Sequence, residues 1–134
     1  MKIALGQFAV HPTWEDNARL CQDLIRRAAA AGADLLVLPE GILARDIADP
    51  DLVRRAAQPL DGPFLSQLLD ASRALDLTVI MTVHTPADGG RVWNTQVALR
   101  RGEIIAQYRK LHLYDAFSMQ ESVNVVPGLS LIHI

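Results

Sequence analysis

Apolar and polar residues repeat along this chain with a period that changes from one segment to the next. Residues 34–38 are apolar on both faces of an extended chain, which predicts a central parallel strand. Pro39 ends that run, because proline has no N–H with which to continue a sheet. After Thr13, apolar residues recur at helical spacing until Gly32, and Thr13 with Asp16 resembles a capping box.

The later segments predict a second helix and three further strands. Proline is favoured in a first helical turn, so a helix is expected from about residue 63. Residues 77–85 are apolar and β-branched, and residues 92–99 alternate before a tight turn into residues 103–108. With a first strand at residues 2–9, the order β-α-β-α-β-β-β indicates an α/β fold whose sheet begins parallel and ends antiparallel.

The regular pattern is lost from residue 110 onward. More than 20 irregular residues are unusual within a compact domain and are often functional. The chain ends in the apolar residues 131–134, without a polar tail, which we interpret as an interrupted strand. We therefore expect residues 1–134 to form the N-terminal part of a single domain whose C-terminal part is missing.

Composition limits the class of protein. The 134 residues are 50% hydrophobic and carry a net charge of −2, which gives no reason to expect a nucleic-acid partner. One cysteine excludes an internal disulfide and a cysteine zinc cluster, and the four histidines lack metal-site spacing. No apolar run approaches the roughly 20 residues of a membrane helix. We expect a cytoplasmic globular protein without a membrane partner.

Three charged residues are candidates for chemistry. Glu40 follows a predicted strand at its carboxyl end, where ligands bind in open α/β sheets, so it is a candidate acid or base. Lys110 follows the last predicted strand and is suited to stabilising an oxyanion. Glu121 lies in the irregular segment. Each also has a simpler interpretation as a solvated surface charge.

Short motifs carry a family resemblance over residues 2–128. In order and spacing they resemble the carbon–nitrogen hydrolase (nitrilase) superfamily. The motifs are Leu38-Pro39-Glu40, Tyr108-Arg109-Lys110-Leu111-His112-Leu113 and Gln120-Glu121-Ser122. Within that family, residues 43–46 and 111–117 look most like the bacterial deaminated glutathione amidases.

The resemblance implies a fold and a mechanism. The fold would be a four-layer α-β-β-α sandwich, usually assembled as a homodimer or a larger homo-oligomer. Glu40 would be the general base, Lys110 would hold the oxyanion, and Glu121 would orient the lysine and the substrate. The substrate would be a primary amide of a small peptide-like molecule, with no cofactor. These residue types suit a thiol nucleophile attacking an amide.

The sequence departs from the family pattern at the nucleophile. The family cysteine lies downstream of the lysine, whereas Cys21 lies in the first predicted helix and is expected to be a small buried apolar residue. We therefore predict that this chain alone does not hydrolyse amides. A sheet that lacks its second layer would also expose an apolar face, so poor solubility or self-association is expected.

Two further residues are candidates for binding the substrate. Arg45 suits a substrate carboxylate, because a guanidinium binds a carboxylate through two parallel hydrogen bonds; the alternative is a surface ion pair with Asp46 or Asp49. Tyr114 is the second candidate. His112 is expected to be structural, and Trp93 is a candidate lining residue or a core residue.

Other functions remain open at this point. One is a nitrilase-superfamily hydrolase with another substrate, such as an ω-amidase or a carbamoyl-amine hydrolase. Another is a non-catalytic binding or assembly subunit that keeps the fold. A nucleotide-binding domain is disfavoured, because residues 9–13 contain no glycine cluster to bind phosphate.

Overall fold

Five strands form one mixed sheet with its strands in chain order. A computed structural model describes residues 1–117 and 119–129. The strands are β1 (Ile3–Leu5), β2 (Leu35–Val37), β3 (Thr78–Pro86), β4 (Val92–Arg100) and β5 (Glu103–Arg109). The first three are parallel and the last three antiparallel, which confirms the predicted arrangement.

The first two strands are shorter than the sequence predicts. Gly6 still donates a backbone hydrogen bond to Val37, but the chain then leaves the sheet. A Cβ atom at Gly6 would lie 2.7 Å from Cδ2 of Leu38, so a larger residue there would require the leucine side chain to shift. The predicted strand over residues 2–9 is therefore wrong beyond Leu5.

Three helices connect the strands. They are α1 (Trp14–Ala30), α2 (Leu52–Arg55) and α3 (Pro63–Ser72), and the proline start of α3 is confirmed. The capping box is wrong in detail: the Thr13 hydroxyl donates to the Asp16 carboxylate and accepts no hydrogen bond from a backbone N–H of the first turn. Gly32 follows α1 with φ +71°, a conformation that glycine adopts without strain.

The core lies between the helices and one face of the sheet. Fully buried side chains from both layers meet there, among them Ile25, Leu36, Phe64, Leu68, Val79, Met81 and Leu99. Burying one such side chain stabilises the fold by about 1.5–3 kcal/mol. Cys21 is fully buried in this core, as predicted, and burial raises the pKa of its thiol to about 12.

The opposite face of the sheet is open along β1, whereas the segment after β5 covers its β4 end, where Val92 and Asn94 are buried. Ile3 and Leu5 project on that side and are 50% and 79% exposed. Their register partners, Leu35 and Val37, are only half-buried. The expectation that the other half of a four-layer sandwich covers this face stays a prediction.

The segment after β5 is more ordered than its sequence pattern indicates. It contains a small hairpin of β6 (Asp115–Ala116) and β7 (Met119–Gln120), followed by a 3-10 turn over Glu121–Val123. Backbone hydrogen bonds then join this segment to Val92 at the start of β4. The predicted interrupted strand at residues 131–134 lies outside the described residues. No described helix is both long and apolar enough to span a membrane.

Candidate active site

A cluster of two carboxylates and one ammonium group lies at the carboxyl end of β2. The Lys110 Nζ atom is 3.1 Å from Oε1 of Glu40 and 3.0 Å from Oε2 of Glu121. Glu40 and Lys110 are 70 residues apart in the sequence, and the tertiary fold brings them into contact. The three residues singled out as candidates for chemistry therefore form one group.

The backbone around Glu40 fixes its position on the sheet. On one side of it, the N–H of Leu38 donates to Ile80, and on the other the N–H of Ile42 donates to Thr82. Between them Gly41 has φ +65°, which reverses the chain. Glu40 is therefore held at the tip of a turn between two hydrogen bonds to β3.

Lys110 is fixed in the same way by its neighbours. Its N–H donates to the carbonyl of Asn94 at 2.9 Å, and its own carbonyl accepts from Gly128 at 2.8 Å. A Cβ atom at Gly128 would lie 2.4 Å from the Arg109 carbonyl oxygen, so this approach requires glycine. Both backbone polar groups of Lys110 are therefore hydrogen-bonded, which fixes the position from which its side chain extends into the site.

Asn94 connects the two carboxylates and is a site residue to which the sequence analysis gave no role. Its Nδ2 donates to Oε1 of Glu40 at 2.7 Å and to Oε1 of Glu121 at 3.4 Å. The residue is 3% exposed. The polar residues of β4 include a second amide, Gln96, which is exposed, so the sequence pattern does not distinguish Asn94. The burial of Asn94 does, since a buried amide requires hydrogen-bond partners.

Glu121 is held by the backbone as well as by Lys110. Its Oε2 accepts a hydrogen bond from the N–H of Tyr114 at 2.7 Å, and its own N–H donates to the Tyr114 carbonyl at 3.1 Å. Only 16% of its side chain is exposed. Its carboxylate is therefore held by the backbone while it contacts the Lys110 ammonium group.

Contacts among the residues of the cluster shift the pKa values of Glu40 and Lys110. Burial alone would raise the pKa of Glu40, but hydrogen bonds from Asn94 and Lys110 outweigh it and lower that pKa below its ordinary value. Burial likewise opposes the charge of Lys110, yet Glu121 and Glu40 raise the pKa of the lysine. At neutral pH the site therefore contains ionised carboxylate and ammonium groups.

A cavity of about 430 Å³ opens beside this cluster. Its wall includes Arg45, Tyr114, His84 and Asn124. Arg45 has no ion pair among the described residues, because Asp49 pairs with Arg55 and Asp46 accepts from the backbone N–H of Ala48. The predicted substrate-binding residues Arg45 and Tyr114 thus lie on the same cavity as the cluster.

Other candidate residues lie elsewhere. Cys21 is in the helical layer, His112 is exposed beyond the end of β5, and neither lines the cavity. Trp93 lines a separate pocket, where the Arg109 guanidinium stacks 3.5 Å from its ring centre. Within the described part of the chain, no group of three His, Cys, Asp or Glu side chains is arranged to hold a metal ion.

Comparison with known families identifies the class. The model of the carbon–nitrogen hydrolase family matches residues 2–129, nearly the whole chain. Together with the sheet topology and the Glu-Lys-Glu cluster, this match shows that the chain belongs to the carbon–nitrogen hydrolase family.

Individual curated proteins show which members of the family the chain resembles. The chain is 50% identical over 128 residues to the deaminated glutathione amidase of Escherichia coli O157:H7, covering 96% of this chain and 49% of the relative. It is 38% identical over 131 residues to a hydrolase from Mycobacterium tuberculosis, covering 96% of this chain and 46% of the relative. The chain therefore spans about half the length of the curated relatives that it matches.

Solved structures have the same fold. A mutant of the Nesterenkonia AN1 amidase, from the nitrilase superfamily, superimposes with a TM-score of 0.82 at 25% identity, covering 97% of this chain and 49% of that one. The Caenorhabditis elegans NitFhit protein superimposes with a TM-score of 0.84 at 23% identity over 97% of this chain and 34% of that one. The nitrilase-type α/β fold expected from the sequence is confirmed.

Proposed function

We propose that this chain supplies the base and the oxyanion-binding lysine of an amidase that hydrolyses a primary amide by a Glu-Lys-Cys mechanism. The observation that carries the proposal is the contact of Lys110 with both Glu40 and Glu121. Membership of the carbon–nitrogen hydrolase family supports it, as does the similarity to a deaminated glutathione amidase. A substrate of that small, peptide-like kind is proposed here too.

Each group has a step in the proposed reaction. Glu40 removes the proton from a cysteine thiol supplied from outside this chain, and the thiolate attacks the amide carbonyl carbon. Lys110 donates to the oxygen that becomes negative in the tetrahedral intermediate. When the C–N bond breaks, Glu40 returns the proton to the leaving ammonia, which leaves a thioester. Glu40 then takes a proton from water, and the hydroxide attacks the thioester carbonyl. As the C–S bond breaks and the carboxylic acid forms, Glu40 returns that proton to the cysteine sulfur.

Glu121 acts on the lysine in this proposal. Its carboxylate is held by the Tyr114 N–H, so it keeps the Lys110 ammonium charged and limits its movement. A lysine held in this position stabilises the oxyanion without having to be reoriented during the reaction. No cofactor is needed for any step.

The cavity supports a substrate with a negative group. Arg45 is an exposed guanidinium without an ion-pair partner among the described residues, and it lines the same cavity as the cluster. A carboxylate on the acyl part of the amide would satisfy it through two parallel hydrogen bonds. Tyr114, which is 47% exposed at the cavity, supplies an aromatic surface for the same substrate.

The test uses this chain joined to the C-terminal half of its Escherichia coli relative, named here the completed chain. We expect it to release ammonia from succinamate, and we expect Glu40→Gln and Lys110→Met each to lower kcat/KM at least about a hundredfold. Glu103→Gln, at an exposed position of β5, is the matched control and keeps the parent rate. Equal rates in Glu40→Gln and the parent would refute the mechanism.

A second arm tests the substrate carboxylate. Butyramide and succinamate have four-carbon chains and differ in the terminal carboxylate. We expect Arg45→Met to remove most of the preference for succinamate and to leave butyramide hydrolysis within about twofold. A parent enzyme that does not prefer succinamate would exclude the proposed role of Arg45. Hydrolysis of a carbamoyl amine in preference to either amide would favour the alternative substrate class.

The assembly and location of the whole protein are also proposals. Homo-oligomers, at least dimers, are expected from the family resemblance, and sedimentation of the completed chain measures this directly. A cytoplasmic location is proposed. A non-catalytic binding subunit would keep the fold and release no ammonia even when completed.

A further inference from the structure

The structure leaves two buried polar side-chain atoms without hydrogen-bond partners among the described residues. They are Nδ1 of His84 and Oδ1 of Asn124. An unsatisfied buried polar group costs about 1–3 kcal/mol, so such atoms are rare and require an explanation. Both residues line the cavity beside the Glu-Lys-Glu cluster.

The position of His84 follows from the register of the sheet. His84 on β3 lies directly opposite Asn94 on β4. Opposed residues of an antiparallel pair project to the same face with their Cβ atoms about 4.5–5.5 Å apart. Asn94 donates to Oε1 of Glu40, so the imidazole is adjacent to the residue that holds the general base.

The turn after β2 brings the imidazole closer still. A Cβ atom built on Gly41 would lie 3.4 Å from Cε1 of His84, so the ring packs against the backbone that follows Glu40. The residue is 8% exposed, while its backbone carbonyl is held by the N–H of Gln58. The ring is therefore fixed in place with Nδ1 buried 4.0 Å from the Cβ position of Gly41. Nε2, which forms no hydrogen bond among the described residues and is not buried, is the nitrogen left to face the cavity.

The charges around the ring favour a neutral imidazole. Burial lowers the pKa of His84; Glu121 and Glu40 act in the opposite direction, and Lys110 and Arg45 act with burial. A neutral imidazole has one donor and one acceptor nitrogen. A hydroxyl or carbonyl oxygen is a suitable partner for such a ring, since it forms a hydrogen bond without introducing a second charge.

We propose that His84 binds the substrate by a hydrogen bond from Nε2–H of its neutral imidazole to an oxygen substituent on the acyl chain, close to the scissile carbonyl. The preferred substrates are then amides with a hydroxyl or oxo group on the second or third carbon. This inference rests on the proposed amidase function. It adds a specificity-determining residue that takes no part in the bond-making steps assigned to Glu40 and Lys110.

The experiment compares amides that differ by one hydroxyl group. In the completed chain, kcat/KM is measured for lactamide against propionamide and for 3-hydroxybutyramide against butyramide. One hydrogen bond predicts a preference of about tenfold for at least one hydroxy amide. His84→Phe, which keeps a ring of similar size, reduces that preference to within about twofold, and His84→Gln restores part of it.

The controls separate this inference from the proposed function. His112→Gln, an exposed histidine away from the cavity, keeps both the rate and the preference. If Glu40→Gln is inactive while His84→Phe keeps the hydroxyl preference, the role of His84 is refuted and the amidase mechanism stands. If His84→Phe lowers kcat/KM equally for the hydroxy amide and the unsubstituted amide of each pair, the role of His84 is structural and the proposal is also refuted.

A binding measurement covers the case in which the completed chain is inactive. The 134-residue chain is labelled with ¹⁵N-histidine, and the His84 ring signals are assigned by their absence in His84→Phe. Lactamide is expected to shift those signals, and propionamide at the same concentration is not. Unchanged His84 signals with saturating lactamide would overturn the inference.

Discussion

The amide of Asn94 donates to Oε1 of Glu40 at 2.7 Å from a position that is almost fully buried in β4. The same oxygen of Glu40 accepts from Lys110 at 3.1 Å. One carboxylate oxygen is therefore bonded to both partners, and the direction of the Glu40 side chain depends on the amide as well as on the lysine.

Replacing Asn94 with alanine removes the buried donor. We expect Asn94→Ala to destabilise the chain by about 1–2 kcal/mol, because a hydrogen bond to a charged group is lost within the structure. Urea unfolding measures the change. Gln96→Ala, at an exposed position of the same strand, is the control and is expected to stay within about 0.5 kcal/mol of the parent. Equal changes in the free energy of unfolding for Asn94→Ala and Gln96→Ala would show that Asn94 has no special structural role.

Gly41 is predicted to be intolerant of a side chain. Its φ of +65° strains an L-residue by about 1–2 kcal/mol, and a new Cβ would also press on the His84 ring at 3.4 Å. Gly89→Ala is a matched control, since Gly89 has φ +70° but no atom within 4 Å of the added Cβ. Urea unfolding is expected to show a larger decrease in the free energy of unfolding for Gly41→Ala than for Gly89→Ala. The difference between the two decreases measures the contact with His84.

The Glu40–Lys110 pair predicts a particular dependence of stability on pH. The pKa of Glu40 is lower in the folded state, so its contribution is present above the ordinary glutamate pKa and is lost as the pH falls through the folded value. The pKa of Lys110 is higher in the folded state, so its contribution is complete below the ordinary lysine pKa and is lost as the pH rises through the folded value.

Unfolding of the parent chain and of Glu40→Gln over a range of pH measures this dependence. The difference in unfolding free energy between the two chains is expected to be constant near neutral pH and to shrink in acid. A difference that does not change between neutral and acid conditions would contradict the ion pair at Glu40.

Cys21 is expected to be inert in the folded chain. Burial raises its pKa to about 12 from 9.0, which lowers the thiolate fraction at neutral pH about a thousandfold. Iodoacetamide labelling at neutral pH is therefore expected to be at least that much slower in the native chain than in urea. Rapid native labelling would show that the thiol is accessible and would reopen its assignment as a core residue.

The open face of the sheet predicts self-association of the isolated chain. Ile3 and Leu5 present exposed apolar surface on that face, and contiguous apolar surface favours association. Sedimentation of the parent is expected to show species heavier than the 14.7 kDa monomer. Ile3→Thr with Leu5→Thr shifts the distribution towards monomer, whereas Val123→Thr, exposed away from the sheet, does not. A parent that is monomeric at high concentration would disprove this prediction.

Much of the architecture follows from local sequence patterns. Apolar runs of strand length, helical spacing after Thr13 and the proline at position 63 were sufficient to predict the element order and the change from parallel to antiparallel strands. These signals are local, because each reports which faces of one segment must leave water. The early end of β1 at Leu5 was not predictable, since pairing with β2 stops at the pair of Leu5 with Val37 and depends on a segment about 30 residues away in the chain.

Some residues of the site were identifiable from the sequence, and others only from the tertiary structure. Glu40, Lys110 and Glu121 stand in short motifs whose family resemblance made them candidates from the sequence. No role was predicted from the sequence for Asn94, although the Trp93-Asn94 strand also resembles the family, and none for His84. Their roles depend on a strand register that places the two residues side by side. By itself, the sequence determined the α/β class, the buried Cys21 and the charged candidates, because each depends on composition or short spacing. Only the tertiary structure decided which polar side chains share the cavity, since contacts across β2, β3, β4 and the final loop join residues far apart in the chain.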